Sequence, residues 1–548
     1  MLTFIVLIRL RLHRYIIIIL SVAIFFGCSS DGATDPNDPK FDLPKKGVTL
    51  NLNNTFQVID HFGASGGFQD QWVGKWPETT KNKAAEWLFS NETDLQGNPK
   101  GIGLSLWRTI IGEGSADQAN SGFRENSWFR EMECYLSPDG SYDWKKQAGE
   151  QWFMSKAREY GINKFTAWTG SPPYFMTKNG YVFSTADVST FNCQPDKYYD
   201  FANFLADVVK NYQNLGYNIV TVCPFNETQY EWNAVVGEAR QSGTKATNAE
   251  IAAVTRIIDE VFTYKDVNAK IMLPEAGQLK YLFEGSGNTV NQVASFFNNS
   301  SPNYIGDLPN LSKNIAGHSY FSNETTNESL RQRKSLSKVL AGYGLDYWQT
   351  EYSLLGTAYR QNKDLSSLNE IDYALWLSRI IHTDLVFGNA SGWSFWTAFN
   401  QSTFGDHPFR FNLVLYEPNS NGPDHTDGSI TDNKLLWALG NFSRFIRPGM
   451  VRFEVLDPDF GEIASIENFM ISGFKSANNS EVVLVCINNT DSNRSITLDN
   501  YGKDFEVIND SFETFTTSVG SNLRKSSMNF DNIRIPGKSI VTLKARLK

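Results

Sequence analysis

The stretch NIVTVCPFNETQYEW, residues 218–232, begins as a strand and ends in chemistry. Ile219, Val220, Val222 and Cys223 form a short apolar run, and Pro224 removes the donor that would extend it. Asn226 and Glu227 come next, with Tyr230 and Trp232 behind them. A strand that only built core would run out into Gly, Asn or Asp turn residues. On both sides the spacing of apolar residues changes from two to three and four, in YYDFANFLADVVKNYQNL (198–215) and NAEIAAVTRIIDEVF (248–262). Helix, strand, helix in that order is a unit of a parallel sheet.

The unit repeats. Strand patterns recur at FGASGG (62–67), GLSLWRT (103–109), KFTAWTG (164–170), IVTVCPFN (219–226), KIMLPEA (270–276), IAGHSY (315–320), DYWQTEY (346–352) and GWSFWTA (392–398). Amphipathic helices such as NKAAEWLF (82–89) and EIDYALWLSRIIHTDLV (370–386) lie between them. Eight βα units predict a closed (β/α)8 TIM barrel, an α/β fold, over residues 61–447. After NKLLWALGNFSRFIRPG (433–449) the chain becomes short strands and turns, as in SEVVLVCINNT, RSITLDN and KSIVTLKARL. That predicts a C-terminal β-sandwich over 448–548, with the alternating stretch 47–60 joining it as an N-terminal strand.

Before the fold stand Arg9, Arg11, His13 and Arg14, then the apolar run YIIIILSVAIFFG (15–27), a cleavable export signal over 1–27. Gly27-Cys28 resembles a bacterial lipoprotein site, with Phe25 where that motif usually has Leu. The expectation is lipidation at Cys28 and attachment to the cell envelope by that anchor alone; the rival is plain secretion. Residues 28–46, polar and Pro-rich, are expected to be a flexible tether.

A net charge of −9 argues against nucleic acid, which needs clustered positive charge. The one basic run, Arg331-Gln332-Arg333-Lys334, reads as a solvated helix face. Fourteen Trp, 22 Tyr and 39 Phe exceed what a core alone demands and suggest a cleft paved with flat apolar faces. The spacing of Cys134, Cys193, Cys223 and Cys486 excludes zinc motifs; Cys223 and Cys486 read as buried thiols, and Cys134 and Cys193 are available to pair. No cofactor or metal is expected, because His61, His382, His407 and His425 show no ligand spacing.

Active-site residues of such barrels come from the C-terminal strand ends. Those ends here carry Arg108, Trp168, Asn226, Glu227, Glu275, His318, Tyr320, Glu351 and Trp396. Any one of them is ordinary as a loop-facing side chain; the set is not. Glu227 and Glu351, on strands four and seven, face one another across an eight-strand ring, and two carboxylates flanking one bond are the working unit of glycoside hydrolysis. Arg108 would keep a nucleophile ionised, Asn226 would bind a sugar hydroxyl, and Trp396, Tyr230 and Trp232 would wall the cleft. Trp168, Glu275, His318 and Tyr320 complete the candidate substrate contacts.

PFNETQYEW, WTGSPPYFMTKNG, YWQTEY and LGNFSRFIRPG together resemble glycoside hydrolase family 30 of clan A, over essentially the whole chain after the tether. The resemblance implies a barrel with a side β-sandwich, Glu227 as acid/base, Glu351 as nucleophile and retention of configuration. Thr228 departs from the Pro that relatives commonly carry. GASGGFQDQWVGKWP, KGIGLSLWRTIIGEGSA and LPEAGQLKYL resemble bacterial endo-β-1,6-galactanases, which implies a galactan of arabinogalactan type as substrate. Other family specificities are β-1,6-glucan, xylan, β-fucosides or β-galactosides, and exo-acting β-glycosidases. A carbohydrate-binding surface lipoprotein without catalysis would typically have lost one glutamate, and both are present. Gly63-Ala64-Ser65-Gly66-Gly67 matches the G-x-S-x-G of serine hydrolases, but FQDQWVGKWPE after it is not the helix start that motif requires.

Overall fold

A computed structural model describes residues 42–401, 408–420, 422, 425–457 and 461–548. The expected export signal, Cys28 and His407 lie outside the described residues. The first element, β1 (Asp42–Val58), is followed by the barrel strands β2 (His61–Ser65), β3 (Leu106–Ile110), β4 (Phe165–Trp168), β5 (Ile219–Cys223), β6 (Lys270–Ile271), β7 (Pro274–Ala276), β8 (Asn314–His318), β9 (Asp346–Glu351) and β10 (Ala390–Phe395). Each pairs in parallel with its neighbours, and β10 returns to β2.

The fifth barrel position, 270–276, explains how the ring closes. β6 bonds to β5, and Met272 N donates to Val222 O at 2.8 Å. Beyond it β7 bonds to β8, and Ala316 N donates to Leu273 O at 2.9 Å. The two halves serve opposite neighbours, so the sequence segment KIMLPEA is one strand split by its own two bonding partners. The barrel interior is filled by Phe68, Ile110, Trp168, Cys223, Met272, Ala316 and Trp348, as a packed core rather than a pore.

The connecting helices begin where caps are available. Thr247 and Glu250 form a capping box at the start of Asn248–Tyr264, and Asn369 with Asp372 does the same for Glu370–Val386. Fourteen residues of Glu370–Val386 are buried, because barrel strands cover one side and the C-terminal sheet the other. The basic run is corrected here. Arg331 and Lys334 are solvated on the helix Thr326–Tyr343, but Arg333 is fully buried, its Nε donating to Asp384 Oδ1 at 2.8 Å. Asp384 also accepts from Trp393 Nε1 and Ser319 Oγ, which ties three barrel segments to one carboxylate.

A small sheet of β11 (Phe399–Gln401), β12 (Val414–Pro418) and β13 (Gly428–Asp432) follows the last barrel strand. The sandwich comprises β14 (Val451–Leu456), β15 (Phe469–Lys475), β16 (Glu481–Asn488), β17 (Asn493–Leu498), β18 (Ser511–Ser518), β19 (Ser521–Asn529), β20 (Ile533–Ile535) and β21 (Ser539–Arg546), together with β1. β1 runs parallel to β17 at its start and antiparallel to β14 at its end, across two irregularities. The tether therefore ends sooner than the sequence suggests: residues 42–46 already belong to β1, with Asp42 opposite Asn493. Alternation in β16 shows how the sandwich is attached. Val482, Leu484 and Cys486 face the sandwich core, whereas Val483, Val485 and Ile487 join the barrel core.

Cys134, Cys193, Cys223 and Cys486 are all buried and free, so Cys134 and Cys193 do not form a bond to each other. Ser65 is no nucleophile: its Oγ donates to Arg108 O at 3.1 Å and accepts from Gly67 N at 3.1 Å, inside a turn that Gly67 completes at φ +70°. No described helix is long and apolar enough to cross a membrane.

Candidate active site

Strand β5 stops at Cys223, and Asn226-Glu227 lie on the loop beyond Pro224. Glu227 is held by its backbone. Its N donates to Glu275 O at 2.8 Å, and its O accepts from Trp232 Nε1 at 2.9 Å. Glu227, Trp232 and Glu275 all have positive φ, at 48°, 51° and 54°. Non-glycine residues pay of order 1–3 kcal/mol for such conformations and keep them where surrounding structure over-determines the geometry.

At the mouth of the barrel Glu227 and Glu351 open onto a cleft of about 450 Å³, shared with Tyr320, Trp232 and Trp396. A carboxylate oxygen of each and a ring nitrogen of His318 lie within 4.8 Å of one another. His318 Nδ1 bonds Glu227 Oε1 at 2.8 Å, and its Nε2 bonds Glu275 Oε2 at 2.9 Å. Arg108 Nη1 donates to Glu351 Oε2 at 3.0 Å, and its Nη2 to Glu275 Oε1 at 3.4 Å. Tyr320 OH donates to Glu351 Oε1 at 3.2 Å. A cation can bridge such a triplet, but both His318 nitrogens are already bonded to carboxylates, and a ligand histidine needs a free lone pair. The donor set fits proton sharing.

Three largely buried carboxylates thus face two fully buried cations. Burial pulls His318 down, but Glu351, Glu227 and Glu275 outweigh it and push it up to about 10, so it is an imidazolium. Burial pushes Glu275 up, yet Arg108 and His318 hold it down at about 2. Glu351 is raised, chiefly by burial, against the pull of His318 and Arg108.

The structure divides the sequence-predicted contacts into two tiers. Glu227, Glu351, Tyr320, Trp232 and Trp396 line the cleft. Arg108, Glu275, His318 and Trp168 are at most 2% exposed and lie beneath it. These four are corrected from substrate contacts to supports, because the ring draws them inward: Trp168 carries the Arg108 guanidinium 4.5 Å above its face. Tyr230 stands behind Trp232, edge to face at 6.1 Å, with its hydroxyl accepting from Gln278 Nε2 at 3.2 Å. Asn226 is 7% exposed, and its Oδ1 has no hydrogen-bond partner among the described residues. Sequence reasoning missed Arg130, Arg240, Gln241, Asn400 and Phe411, which also line the cleft. Arg240, Gln241 and Phe411 sit on loops, Arg130 ends a 3-10 turn and Asn400 lies on the three-residue β11, all too short to show a periodic signal.

A (β/α)8 barrel with two carboxylates at opposed strand ends, backed by an arginine, defines a glycoside hydrolase. Comparison with known proteins agrees. Residues 45–408 match O-glycosyl hydrolase family 30, and the chain belongs to that family. The crystal structure of a conserved exported protein from Bacteroides fragilis superposes with a TM-score of 0.83 at 32% identity, covering 91% of this chain and 100% of that one. Glucuronoxylanase XynC of Bacillus subtilis (strain 168) is 24% identical over 511 residues, 91% of this chain and 92% of that protein. An exo-beta-1,6-galactobiohydrolase of Bifidobacterium longum is 26% identical over 151 residues, 27% of this chain and 10% of that protein.

Proposed function

We propose that the protein is a retaining β-glycoside hydrolase in which Glu351 is the nucleophile and Glu227 the acid/base. The observation that carries this is the approach of their oxygens within 4.8 Å of each other. That leaves no room for the water an inverting enzyme holds between its carboxyls, whereas retaining pairs stand roughly 5 Å apart. Direct contact with Arg108 and Tyr320 favours the ionised form of Glu351. Glu227 bonds His318 rather than an arginine and opens onto the cleft beside Glu351, the position from which a proton can pass to the leaving oxygen.

Glu351 attacks the anomeric carbon as Glu227 passes its proton to the departing glycosidic oxygen. The glycosyl ester on Glu351 is then cleaved by a water that Glu227 deprotonates, so two inversions restore the β configuration. Tyr320 releases the attacking oxygen as the ester forms, and Asn226 binds the hydroxyl beside the reacting carbon. Trp396 and Trp232 offer ring faces to the sugars.

For substrate, the reading is internal cleavage of β-1,6-galactan of arabinogalactan type. The stretches from 63, 100 and 273 onward support it, as does the partial similarity to a β-1,6-galactobiohydrolase. Xylan is the second reading, favoured by similarity to a glucuronoxylanase along most of the chain. Export with an anchor at Cys28 completes the proposal, in keeping with the exported relative.

A panel of β-1,6-galactan, arabinogalactan, β-1,6-glucan and xylan, with product sizes followed over time, decides the substrate; a single small sugar instead of a ladder excludes endo action. NMR of the first product should show the β anomer, and α product first overturns the retaining assignment. Glu351→Gln should abolish turnover in a folded protein. Glu227→Ala should recover rate with added azide on a substrate with a good leaving group, and no recovery removes its role.

A further inference from the structure

The barrel has a second opening, at the N-terminal ends of its strands, on the far side from Glu227 and Glu351. A cavity of about 520 Å³ lies there, of ligand-pocket size and lined by Phe56, Lys164, Asn314, Asp346, Trp348 and Asn389 among others. Asn314 and Asp346 begin β8 and β9 and stand opposite one another in the parallel register. Two positions further on, Ala316 and Trp348 fill the barrel interior, so strand alternation turns Asn314 and Asp346 toward the barrel axis as well. Asn389 directly precedes β10 and holds a positive φ of 55°. Trp348 forms the floor, its ring edge to face with His61 at 4.6 Å. The segments that join barrel and sandwich, 56–60 and 448–449, form the rim.

Part of this base is self-satisfied. Lys164 Nζ donates to both oxygens of Asp60, at 2.9 and 2.8 Å, and Asp60 Oδ1 also bonds His61 Nδ1 at 2.8 Å. The row on β8, β9 and β10 is not: the side chains of Asn314, Asp346 and Asn389 make no hydrogen bond or ion pair among the described residues, although two of them are register partners. Beside them Phe56 is 41% exposed, with the Arg452 guanidinium 3.8 Å from the centre of its ring. Arg452 is itself fixed, its Nε donating to Gln57 Oε1 at 2.8 Å, while Gln57 Nε2 donates to Leu385 O at 2.7 Å and Ala390 O at 3.0 Å. The ring is thus braced from behind and presents a flat face to the cavity. Lys164 is the one cation among the lining residues and Asp60 occupies it, so an anion finds no partner here and meets the charge of Asp346.

We propose that the barrel base is a second glycan-binding site, which takes a neutral pyranose residue of the polysaccharide away from the bond being cut. The inference goes beyond the catalytic reading and rests on it only for the ligand being a glycan. Sugar hydroxyls donate to Asp346 and to the amide oxygens of Asn314 and Asn389 and accept from their amide nitrogens, while the C–H face of the ring packs on Phe56. Base and mouth lie at opposite ends of the strands, so the base holds another segment of the polymer, or another chain. Its effect is to raise the concentration of polymer at the mouth, and the chemistry there is untouched.

The test uses the double variant Asp346→Ala with Asn389→Gly, which removes two unengaged side chains and keeps a residue suited to positive φ at 389. Affinity electrophoresis of Glu351→Gln, in gels holding β-1,6-galactan, arabinogalactan, β-1,6-glucan or xylan, reads binding without turnover. For the polymer that retards it most, adding the double variant should raise the dissociation constant at least threefold, and Phe56→Ala further. In the active enzyme the double variant should raise KM on that polymer at least threefold with kcat within a factor of two. Turnover of a short oligosaccharide of the same linkage, which reaches only the cleft, should stay within a factor of two. Unchanged retardation in the double and triple variants overturns the proposal, as does no retardation by any of the four polymers. An equal loss on the short oligosaccharide places the effect in the cleft or the fold and overturns it too. Stronger retardation by polygalacturonate that the double variant abolishes overturns the neutral-sugar assignment. Reduced retardation supports the site even if no polymer is cut, whereas cutting that is indifferent to the double variant leaves the hydrolase standing and removes the site.

Discussion

Glu275 touches neither substrate nor solvent, yet replacing it with Gln should move the pH dependence of the enzyme. Its two oxygens separate two cations, taking Arg108 on one side and His318 and Thr350 on the other. In Glu275→Gln the amide nitrogen faces His318 Nε2, two donors meet, and the imidazole must give up its proton. Glu351 then loses a positive charge whose Nδ1 stands 4.0 Å from its Oε1. At an effective dielectric constant of about 20 that interaction is worth about 4 kcal/mol, a ceiling of about 3 pH units. The sign follows from the role: a nucleophile must be ionised, and losing the His318 cation raises the pH at which Glu351 ionises, while losing the weaker push of the Glu275 charge offsets part of that rise. The acid limb of the kcat/KM profile should move up, by one unit or more and less than that ceiling, while the variant still unfolds cooperatively. Stopped assays from pH 4 to 9 on one polymer read it directly. An acid limb in its wild-type place, with only a lower melting temperature, would refute the reasoning and reduce Glu275 to packing.

Glu113 is fully buried and pushed up to about 7, first by desolvation. It binds a proton more tightly folded than unfolded, so stability is lost as pH rises from about 4.5 to 7. Glu113→Gln should therefore be stabilising at pH 8, by at most about 3 kcal/mol, and neutral at pH 4; equal melting temperatures at pH 8 exclude the effect. Asp384→Ala leaves Arg333 buried without its counter-charge and should cost about 3–5 kcal/mol in urea unfolding, and a loss under 1 kcal/mol would contradict the ion-pair account. Deleting residues 42–50 removes a strand held between β14 and β17 and should prevent soluble folding; a soluble, active product would show the sandwich closes without it. EDTA should leave the rate unchanged, and restoration by a divalent ion after chelation would assign the Glu227, His318 and Glu351 cluster to a metal instead.

The strands and the catalytic pair were legible because each rests on a local signal. Apolar spacing marks a strand, and a polar residue at its end points to the barrel mouth whatever the rest of the chain does. Depth was not legible. Glu275 and Glu351 occupy equivalent strand-end positions in the sequence, yet the first is sealed and the second opens on the cleft. Which is which depends on the split of the fifth strand and on what Arg108 and His318 draw toward themselves. Arg333 was misread for a similar reason: the charged residues beside it, Arg331 and Lys334, are solvated, and only tertiary packing supplies Asp384, 51 positions away. The start of β1 was missed because Pro44 and paired lysines look like linker, whereas parallel pairing with β17 asks only for backbone. Arg130 and Arg240 carry no periodic signal at all, and only the fold brings them to one cleft.

The position of β1 also sets the order in which the molecule can be made. Leu50 N donates to Asn500 Oδ1 across 450 residues of chain, and β1 finds both its neighbours only after β14 and β17 have been synthesised. Until then an early strand waits with unpaired amides while a whole barrel forms behind it. Such a long-range closure is slow and tends to come late in folding. A chain stalled before residue 498 would hold a catalytic barrel and an open sheet edge at once, a species prone to pair with its own copies. Maturation of the enzyme is thus a race between arrival of the last hundred residues and capture of the first strand by another molecule.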